Sequence, residues 1–476
     1  MDERETSWSS VGLMAAVSAA GPTYVLSRQS APFIDDPFIL MRYAEHVADG
    51  TGWTFNPGSV TGNGATSPLM VVLTAALRVL GIDTETGAMV LYCMAWAVAA
   101  FLLGRVLLRE GHRLGGWAGC ILLGSSPFMA NVRGLETSLY GALGLAMLWL
   151  GQRHRWLAMG IASALLGAAR PDGYLVVVVV AGVLALGFGK GPALRFIVGF
   201  ASVSAVWFLL LAGLTDGQMF PSTLEAKMAQ SRSGYWGGRL AFLRSLWSSA
   251  LLGGINIRRT GQLVAVTMLV VGVVGIALAL RRKTRSWTTI TLGLVGFIQL
   301  VIYFIVLGVP PYTWYFATLL VAVVAGAAMV MEVLGAHLPR RFHVLIILGV
   351  GVLAISLVGS FVKLQPTRDR VAYAAIASWV DADSQKAHPT VACIEIGSIG
   401  FHGEADLVDY LGLLDSSASP AVARGDFTGW LDSAPDYWVT QGKWIDSEAF
   451  HSRAFIDNYS LAKKIGEWSV YRRRIS

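Results

Sequence analysis

Long apolar stretches recur along almost the whole chain, and they restrict the fold more than any other feature of the sequence. A helix needs about 17–25 predominantly apolar residues to cross the hydrocarbon core of a bilayer. We predict about eleven such spans, several of them short. They cover residues 8–28, 86–108, 114–131, 136–150, 156–169, 173–189, 195–214, 260–280, 287–308, 313–334 and 342–363. The apolar stretch 66–80 is shorter, and we predict that it lies at the membrane interface.

The composition agrees with a polytopic α-helical membrane protein. Of the 476 residues, 54% are hydrophobic and only 14% are charged, whereas about a quarter are charged in soluble proteins. The net charge of +7 does not indicate nucleic-acid binding, because the basic residues stand in short clusters between apolar runs and form no stripe. The three cysteines form neither a disulfide framework nor a metal-spaced set.

The basic residues predict the orientation in the membrane, because cytoplasmic loops carry an excess of Arg and Lys. With the N-terminus inside, the clusters that fall inside are 109–113, 153–155, 190–195, 281–285 and 340–341. The loops 29–85 and 215–259 and the polar tail then lie outside a bacterial cytoplasmic membrane. The acidic N-terminus lacks the features of a signal peptide, so we expect the first apolar run to be retained as a helix.

The tail differs from the rest of the chain in composition. Residues 368–383 have the pattern of an amphipathic helix, and 390–396, 436–440 and 468–473 have that of strands. We therefore predict two parts: a membrane domain over 1–363, and a small α/β domain over 364–476 on the outer side.

Two adjacent carboxylates, Asp35 and Asp36, follow the first apolar stretch. Acidic residues at a bilayer boundary are costly and tend to mark functional sites. Pro37 suits the first position of a helix and disfavours helical backbone at the residue before it. We predict a helix over 37–49 with Asp36 as its N-cap, lying flat on the membrane with Arg42 on its polar face. Asp35 has no such capping role, and we predict that it is catalytic.

Other polar side chains fall on the same predicted side. Glu136 and Asp172 stand in first turns of helices, where the dipole favours an anion, so charge balance is an alternative to a substrate contact. Arg170 stands where basic residues are scarce. Lys227 is a candidate phosphate ligand, and the alternative is a solvated loop lysine.

The segment 309–315 places Tyr312, Trp314 and Tyr315 close together. They are either part of the aromatic belt at the membrane interface or a platform for a sugar ring. The spans carry almost no ionisable residue in their interiors, and neither Walker, HExxH nor GxSxG motifs occur. An ion-coupled pump and an intramembrane protease are therefore disfavoured.

The run FIDDPFILMRYAEHVADGTGWTFNPG, followed by GNGATSPL, RGLETSLY, ARPDG and PSTLEAKM, resembles the polytopic GT-C glycosyltransferases that use polyprenyl-phosphate sugars. Within that class the chain is most similar to the terminal arabinofuranosyltransferases of actinobacterial cell walls and their bacterial relatives. The stretch EIGSIGFHGEADLVDYLGLL resembles their outer domain. Ser222 departs from the pattern, because relatives commonly have Asn there, and the tail is short. These departures leave the sugar and the acceptor open.

The resemblance implies an inverting glycosyltransferase with a polyprenyl-phosphate sugar donor and a cell-envelope glycan or glycolipid acceptor, arabinofuranose being one candidate sugar. It implies that Asp35 is the general base, while Asp36 orients the acceptor or holds a divalent cation; no other cofactor is implied. The leaving phosphate needs no general acid, so one carboxylate and a cationic clamp suffice. The clamp candidates are Lys227, Arg42 and Arg170, with Lys227 the strongest by motif. The candidate substrate contacts are Glu136, Asp172, Tyr312, Tyr315, His46 and Asn56.

Two other functions remain open from the sequence. One is a transporter or flippase of lipid-linked saccharides, which would bind a similar ligand without forming a bond. The other is a non-catalytic envelope assembly factor that binds a partner through the tail. Detection of a new glycosidic bond separates the enzyme from both.

Overall fold

The chain is a multi-pass membrane protein that consists of an apolar helical bundle and a C-terminal α/β unit. The computed structural model describes residues 8–28, 34–58, 63–215, 217–246, 259–281, 285–339, 342–352, 368–442 and 447–474. The helices that precede the α/β unit are α1 (Trp8–Arg28), α2 (Asp36–Ala48), α3 (Pro68–Val79), α4 (Thr84–Arg109), α5 (Arg113–Gly124), α6 (Pro127–Asn131), α7 (Thr137–Gln152), α8 (Trp156–Ala169), α9 (Gly173–Gly187), α10 (Lys190–Leu214), α11 (Thr223–Arg232), α12 (Gly238–Leu246), α13 (Arg259–Ala279), α14 (Trp287–Val301), α15 (Ala317–Ala336) and α16 (Phe342–Val352).

Each predicted apolar stretch is mainly helical in its described part, but fewer of these helices are long enough to span a membrane. Within the described residues, six helices are long and apolar enough to cross a membrane: α1, α4, α10, α13, α14 with the π-helical turn Ile302–Leu307, and α15 with the 3-10 turn Thr313–Phe316. Helix α8 has 14 residues, which is about 21 Å at 1.5 Å per residue. The predicted stretch 114–131 is divided into α5 and α6 because Pro127 removes a helical hydrogen bond. Length and composition thus account for six of the eleven predicted spans.

Glycines at helix crossings bring the backbones of the bundle into direct contact. A Cβ on Gly160 of α8 would clash with the carbonyl oxygen of Phe196 of α10, and one on Gly275 of α13 would clash with that of Gly326 of α15. Small residues permit this close approach between membrane helices. Packing rather than a hydrophobic difference from lipid therefore fixes the bundle.

The C-terminal unit has a mixed five-stranded sheet covered by helices. Its elements are α17 (Arg368–Asp383), β1 (Thr390–Ala392), α18 (Ile396–His402), β2 (Asp406–Val408), α19 (Ser419–Ala423), β3 (Tyr437–Thr440), α20 (Ser447–Phe450), α21 (Arg453–Asn458), β4 (Tyr459–Ile465) and β5 (Trp468–Arg473). The strand order is β2-β1-β3-β5-β4, with β1 parallel to β2 and β3, and β5 antiparallel to β3 and β4. The predicted strand 390–396 is shorter in the structure, because the chain leaves the sheet after Ala392 and α18 begins at Ile396.

Helix α2 joins the two parts of the molecule. Phe38 and Tyr43 of α2 belong to one buried cluster with Ile376 of α17 and Ile396 of α18. Residues Pro37–Ala44 are all buried, so protein covers Arg42, which we predicted on a polar face at the membrane surface. Glu45 and His46 on that face are half-buried, and Asp49 is exposed. The predicted cap is also corrected: Asp36 is the first helical residue, the N-cap position is Asp35, and its side chain makes no capping bond.

Candidate active site

The carboxylate of Asp35 is held by the C-terminal unit. Its Oδ2 accepts a hydrogen bond from the backbone N–H of Gly397 at 2.7 Å, and its Oδ1 accepts one from the N–H of Ser398 at 2.7 Å. Both donors are in the first turn of α18, where backbone N–H groups lack helical partners. Such charge-assisted bonds favour an ionised carboxylate. The orientation of the predicted base therefore depends on residues that lie more than 360 positions further along the chain.

The other end of α18 is held by Arg42. The Arg42 guanidinium donates to the backbone oxygens of Phe55 at 2.6 Å, of Ala405 at 3.0 Å, and of Gly400. Burial lowers the pKa of Arg42 to about 10, so the group stays cationic at neutral pH. A cation at the carbonyl end of a helix is favourable. Arg42 thus contacts the C-terminal unit, and backbone carbonyls accept from all three of its nitrogens. Its role as a phosphate clamp stays a prediction.

Two predicted substrate contacts, Asn56 and His46, make hydrogen bonds near the contact between the membrane domain and the C-terminal unit. The Asn56 amide donates to the carbonyl oxygen of Leu407 and accepts from its N–H, each at 2.9 Å, as a neighbouring strand would. His46 donates from Nδ1 to the carbonyl oxygen of Thr54 at 2.7 Å. Both side chains therefore fix the loop after α2, and a contact with substrate stays a prediction.

We predict that stability falls below about pH 6.5 in part because of His46. Burial lowers the pKa of this ring, so the unfolded chain, with its ordinary pKa near 6.5, takes up a proton that the folded chain resists. The contribution is complete above that pH and is lost as the pH falls through the lowered pKa. The melting temperature of H46N, whose amide still reaches Thr54, should decline less between pH 7.5 and 5 than that of the parent. Equal declines would contradict the assignment.

Asp36 lies close to Lys227. The Lys227 ammonium lies 3.9 Å from Asp36 Oδ2, and the side chains are 8% and 28% exposed, respectively. Lys227 is in α11, and the same face of that helix carries Gln230, one turn further on. Among the described residues, no acceptor lies within hydrogen-bonding distance of the Lys227 ammonium, although a nearly buried charge normally has such partners. The lysine can therefore donate to an anionic ligand.

Aromatic rings surround the same lysine. Its Nζ lies 4.1 Å from the centre of the Tyr312 ring and 5.8 Å from that of Trp314, within the range of a cation–π interaction. Tyr312 and Trp314 stack at 4.7 Å with an interplanar angle of 8°, and the Tyr312 hydroxyl donates to Gln230 Oε1 at 2.9 Å. Burial, together with the Asp36 and Glu395 carboxylates, raises the pKa of Tyr312 well above its ordinary value. Tyr312 and Trp314 thus form an aromatic wall beside the Lys227 ammonium.

Arg170, Glu136 and Asp172 form a buried ionic cluster. Arg170 donates to Glu136 Oε1 at 3.1 Å, to Asp172 Oδ1 at 3.1 Å, and to the Tyr303 hydroxyl at 3.1 Å. Tyr303, in the π-helical turn after α14, donates to Asp172. Two carboxylates therefore neutralise Arg170, and its role as a phosphate clamp stays a prediction. Charge balance, the alternative stated for the two acids, fits this arrangement.

The buried ionic cluster is linked to the aromatic wall through the Tyr315 ring. The centre of the Tyr315 ring is 5.9 Å from the Arg170 guanidinium carbon, 4.8 Å from the centre of the Tyr303 ring and 6.3 Å from that of Tyr312. Tyr312 and Tyr315 thus lie close together, and their contact with a sugar stays a prediction.

Sequence reasoning missed four residues of this region. Gln230 is three positions after Lys227, so helical spacing within PSTLEAKMAQ could have identified it. Asp409 accepts from the N–H groups of Leu411 and Leu414 at 3.0 and 2.6 Å, and burial raises its pKa. Asp409 and Glu395 both belong to the tail stretch that carried the resemblance. Tyr303 had no sequence signal, because a tyrosine within an apolar span is ordinary.

The residues around Asp36 do not form a metal site by themselves. In the part of the chain that the structure describes, no three His, Cys, Asp or Glu side chains converge as metal ligands. The Lys227 ammonium also stands beside Asp36, where a second cation would be repelled. We therefore derive no chemical step through a metal ion.

We predict that G397A will disturb the position of Asp35 without removing its carboxylate. A Cβ on Gly397 would clash with the Asp35 carbonyl oxygen and lie 2.7 Å from Asp35 Oδ2, and overpacking of this kind costs about 1–3 kcal/mol. The melting temperature should fall. Gly429 is the matched control, because a Cβ there meets nothing within 4 Å. Equal melting temperatures for G397A and G429A would contradict the close contact.

Solved structures share this architecture. ArnT from Cupriavidus metallidurans bound to undecaprenyl phosphate has a TM-score of 0.62 at 13% identity, covering 98% of each chain. The archaeal oligosaccharyltransferase AglB from Archaeoglobus fulgidus, in complex with an inhibitory peptide and a dolichol-phosphate, has a TM-score of 0.54 at 11% identity, covering 98% of this chain and 75% of that one. Arabinofuranosyltransferase AftD from Mycobacteria has a TM-score of 0.50 at 14% identity, covering all of this chain and 40% of that one. The chain has the fold of the GT-C type glycosyltransferases.

The C-terminal unit also matches a described family. Residues 363–475 fit the model named "Domain of unknown function (DUF8728)". No curated protein sequence matches the chain. The prediction of a GT-C type fold is confirmed.

Proposed function

We propose that the chain is an inverting glycosyltransferase that transfers a sugar from a polyprenyl-phosphate carrier to a cell-envelope glycan or glycolipid. The observation that carries the proposal is the nearly buried Lys227 ammonium, which lies beside Asp36 and two aromatic rings. Its N–H donors have no acceptor among the described residues. A phosphate group supplies the missing acceptors and a compensating charge.

A lipid carrier fits the position of this lysine. Lys227 follows α10, a helix of 25 apolar-rich residues whose surface is largely exposed. A donor with its phosphate at Lys227 can lay its isoprenoid chain along such a surface. ArnT and AglB, which share the fold, were solved with undecaprenyl phosphate and dolichol-phosphate, respectively, and this supports a donor of the same class.

The two carboxylates then take different roles. In an inverting displacement, the attacking hydroxyl and the leaving phosphate lie on opposite sides of the anomeric carbon. Asp36 is paired with Lys227 and so belongs to the phosphate side. Successive helical residues point about 100° apart, so Asp35 is directed elsewhere. We therefore keep Asp35 as the base on the acceptor side.

The reaction needs only groups that this chain provides. Asp35 takes the proton of an acceptor hydroxyl while its oxygen forms a bond to the anomeric carbon. The bond from that carbon to the phosphate oxygen breaks, and the phosphate leaves with the electron pair. Lys227 stabilises the additional negative charge. Tyr312 and Trp314 supply a flat apolar surface for the sugar.

The proposal includes a location and leaves the sugar open. We place the protein in a bacterial cytoplasmic membrane with the N-terminus inside, and with the site and the C-terminal unit outside. The distribution of basic residues supports this orientation. Arabinofuranose is the first sugar to test.

The test is the formation of a glycosidic bond by the purified protein. It should be incubated in detergent with a polyprenyl-phosphate sugar labelled in the sugar and with an envelope-glycan acceptor, and the product analysed by mass spectrometry. A product one sugar larger than the acceptor is expected. Movement of the donor across liposome membranes without a new bond would instead identify a transporter. Neither activity, with specific binding of a partner to the protein, would identify an assembly factor.

A further inference from the structure

A row of outward-facing residues on α4 ends in two arginines. Met94 and Val98 are 61% and 46% exposed, Phe101 and Arg105 are half-buried, and Arg109 is exposed. Spacings of three and four residues place these side chains on one face of the helix. Because α4 is long and apolar enough to cross a membrane, this face meets lipid. Arg105 precedes the end of α4 at Arg109 by four residues, or about 6 Å, and so lies within the apolar span.

A third arginine joins this pair from α7. Gln152, the last residue of α7, donates from Nε2 to the carbonyl oxygen of Val106 at 3.1 Å, so the end of α7 lies against the last turns of α4. Arg153 follows directly, and its charge repels Arg105. The Arg153 guanidinium carbon lies 4.1 Å from the centre of the Trp149 ring, and tryptophan is common at the level of the lipid headgroups. The three cations therefore converge at the border of the membrane.

Nothing in the described segments balances these charges, since none of Arg105, Arg109 and Arg153 is paired with a carboxylate. The acid nearest in sequence is Glu110, and its Oε1 accepts from the N–H and the hydroxyl of Thr288, each at 2.8 Å. Like charges one turn apart destabilise a helix, and arginines within membrane segments are normally paired. The excess of basic residues in cytoplasmic loops explains cations near the end of α4, but not the convergence of three unpaired ones from two helices.

We infer that the three arginines bind the headgroup of an anionic phospholipid of the bilayer. A phosphodiester without a compensating ammonium supplies the missing charge, and guanidinium groups bind phosphate oxygens through paired hydrogen bonds. The acyl chains then lie along Met94, Val98 and Phe101 on the same face of α4. Basic pockets between membrane helices on the cytoplasmic side bind such headgroups, and the predicted orientation places the arginines on that side. The inference does not depend on the proposed function.

Lipid affinities should be measured by native mass spectrometry on the full-length protein in a nonionic detergent. The probes are phosphatidylglycerol and phosphatidylcholine with the same acyl chains. The parent should bind phosphatidylglycerol at least tenfold more tightly than phosphatidylcholine, and R105Q/R153Q should lose most of that preference. The matched control is K190Q/R195Q, which removes two exposed cations on α10 from the same predicted side. Equal affinities for the two lipids in the parent, or equal losses in the two variants, would overturn the inference.

Two further measurements separate this site from its alternatives. R105K/R153K keeps both charges and should keep the preference for phosphatidylglycerol, so a loss as large as that of R105Q/R153Q would contradict the role of charge and overturn the inference. A polyprenyl phosphate without sugar should not displace phosphatidylglycerol, because its proposed ligand is Lys227. Displacement would assign the arginines to the donor lipid instead. If the protein transfers no sugar, the proposed function fails, and the lipid affinities still decide whether this site exists.

Discussion

Replacement of Asp35 by alanine is expected to lower the rate of sugar transfer about 10²–10⁴-fold, the usual contribution of a general base. The acceptor hydroxyl would lose the group that takes its proton, while Lys227 and the aromatic wall would remain in place. The rate should be measured at saturating donor and acceptor. The control is D432A, which removes an exposed carboxylate from the C-terminal unit.

Asp35 also anchors α18, so loss of activity in D35A has a second explanation in loss of docking. Formate separates the two, because a small carboxylate that enters the vacated space can accept the proton but cannot restore the link to the chain. Partial recovery of the rate with formate, at an unchanged melting temperature, is expected. Full activity of D35A without formate would refute the assignment. Asparagine is a poorer choice at this position, since its NH₂ group would face a backbone N–H.

The second large effect is expected at Lys227. K227M keeps an apolar stem of similar length and removes the ammonium, so the phosphate loses its cationic partner. A hydrogen bond to a charged group is worth about 1.5–3 kcal/mol, and loss of one donor to a developing anion lowers kcat about 10²–10³-fold. The affinity for a polyprenyl phosphate without sugar should fall at least tenfold, as measured by titration.

The matched control for Lys227 is K463M, which removes an exposed lysine from β4. Unchanged lipid-phosphate affinity in K227M would exclude Lys227 as the phosphate ligand. A variant that binds the lipid phosphate normally but transfers slowly would place Lys227 in the chemical step only.

The sequence predicted local features well and long-range partners poorly. Helix α17 was predicted over its full length, because its amphipathic pattern is contained in 16 consecutive residues. The short strand β2 was not predicted, since three residues are too few for an alternating pattern. The contacts of Arg42 and Arg170 could not be predicted either. Both lie in motifs of the resemblance, but Arg42 bonds to backbone carbonyls about 360 residues away, and Arg170 bonds to the nearby Asp172 and to Glu136, 34 residues before it.

Lys227 illustrates the opposite case. Its candidacy came from a motif, and the structure brings its ammonium to 3.9 Å from Asp36, a neighbour that no local pattern indicates. Gln230, one turn away on the same face, was accessible from helical spacing alone. Motifs therefore selected candidate residues, whereas the packing of α11 against α2 and the aromatic wall determines what each one contacts.

The hydrogen bonds between Asp35 and α18 have a consequence for biosynthesis. The amides that orient Asp35 belong to residues 397 and 398, which leave the ribosome long after the first helices have been inserted. A nascent chain that has not reached these residues carries Asp35 without the two N–H donors that orient its carboxylate. Under the proposed function, we expect such a chain to be inactive.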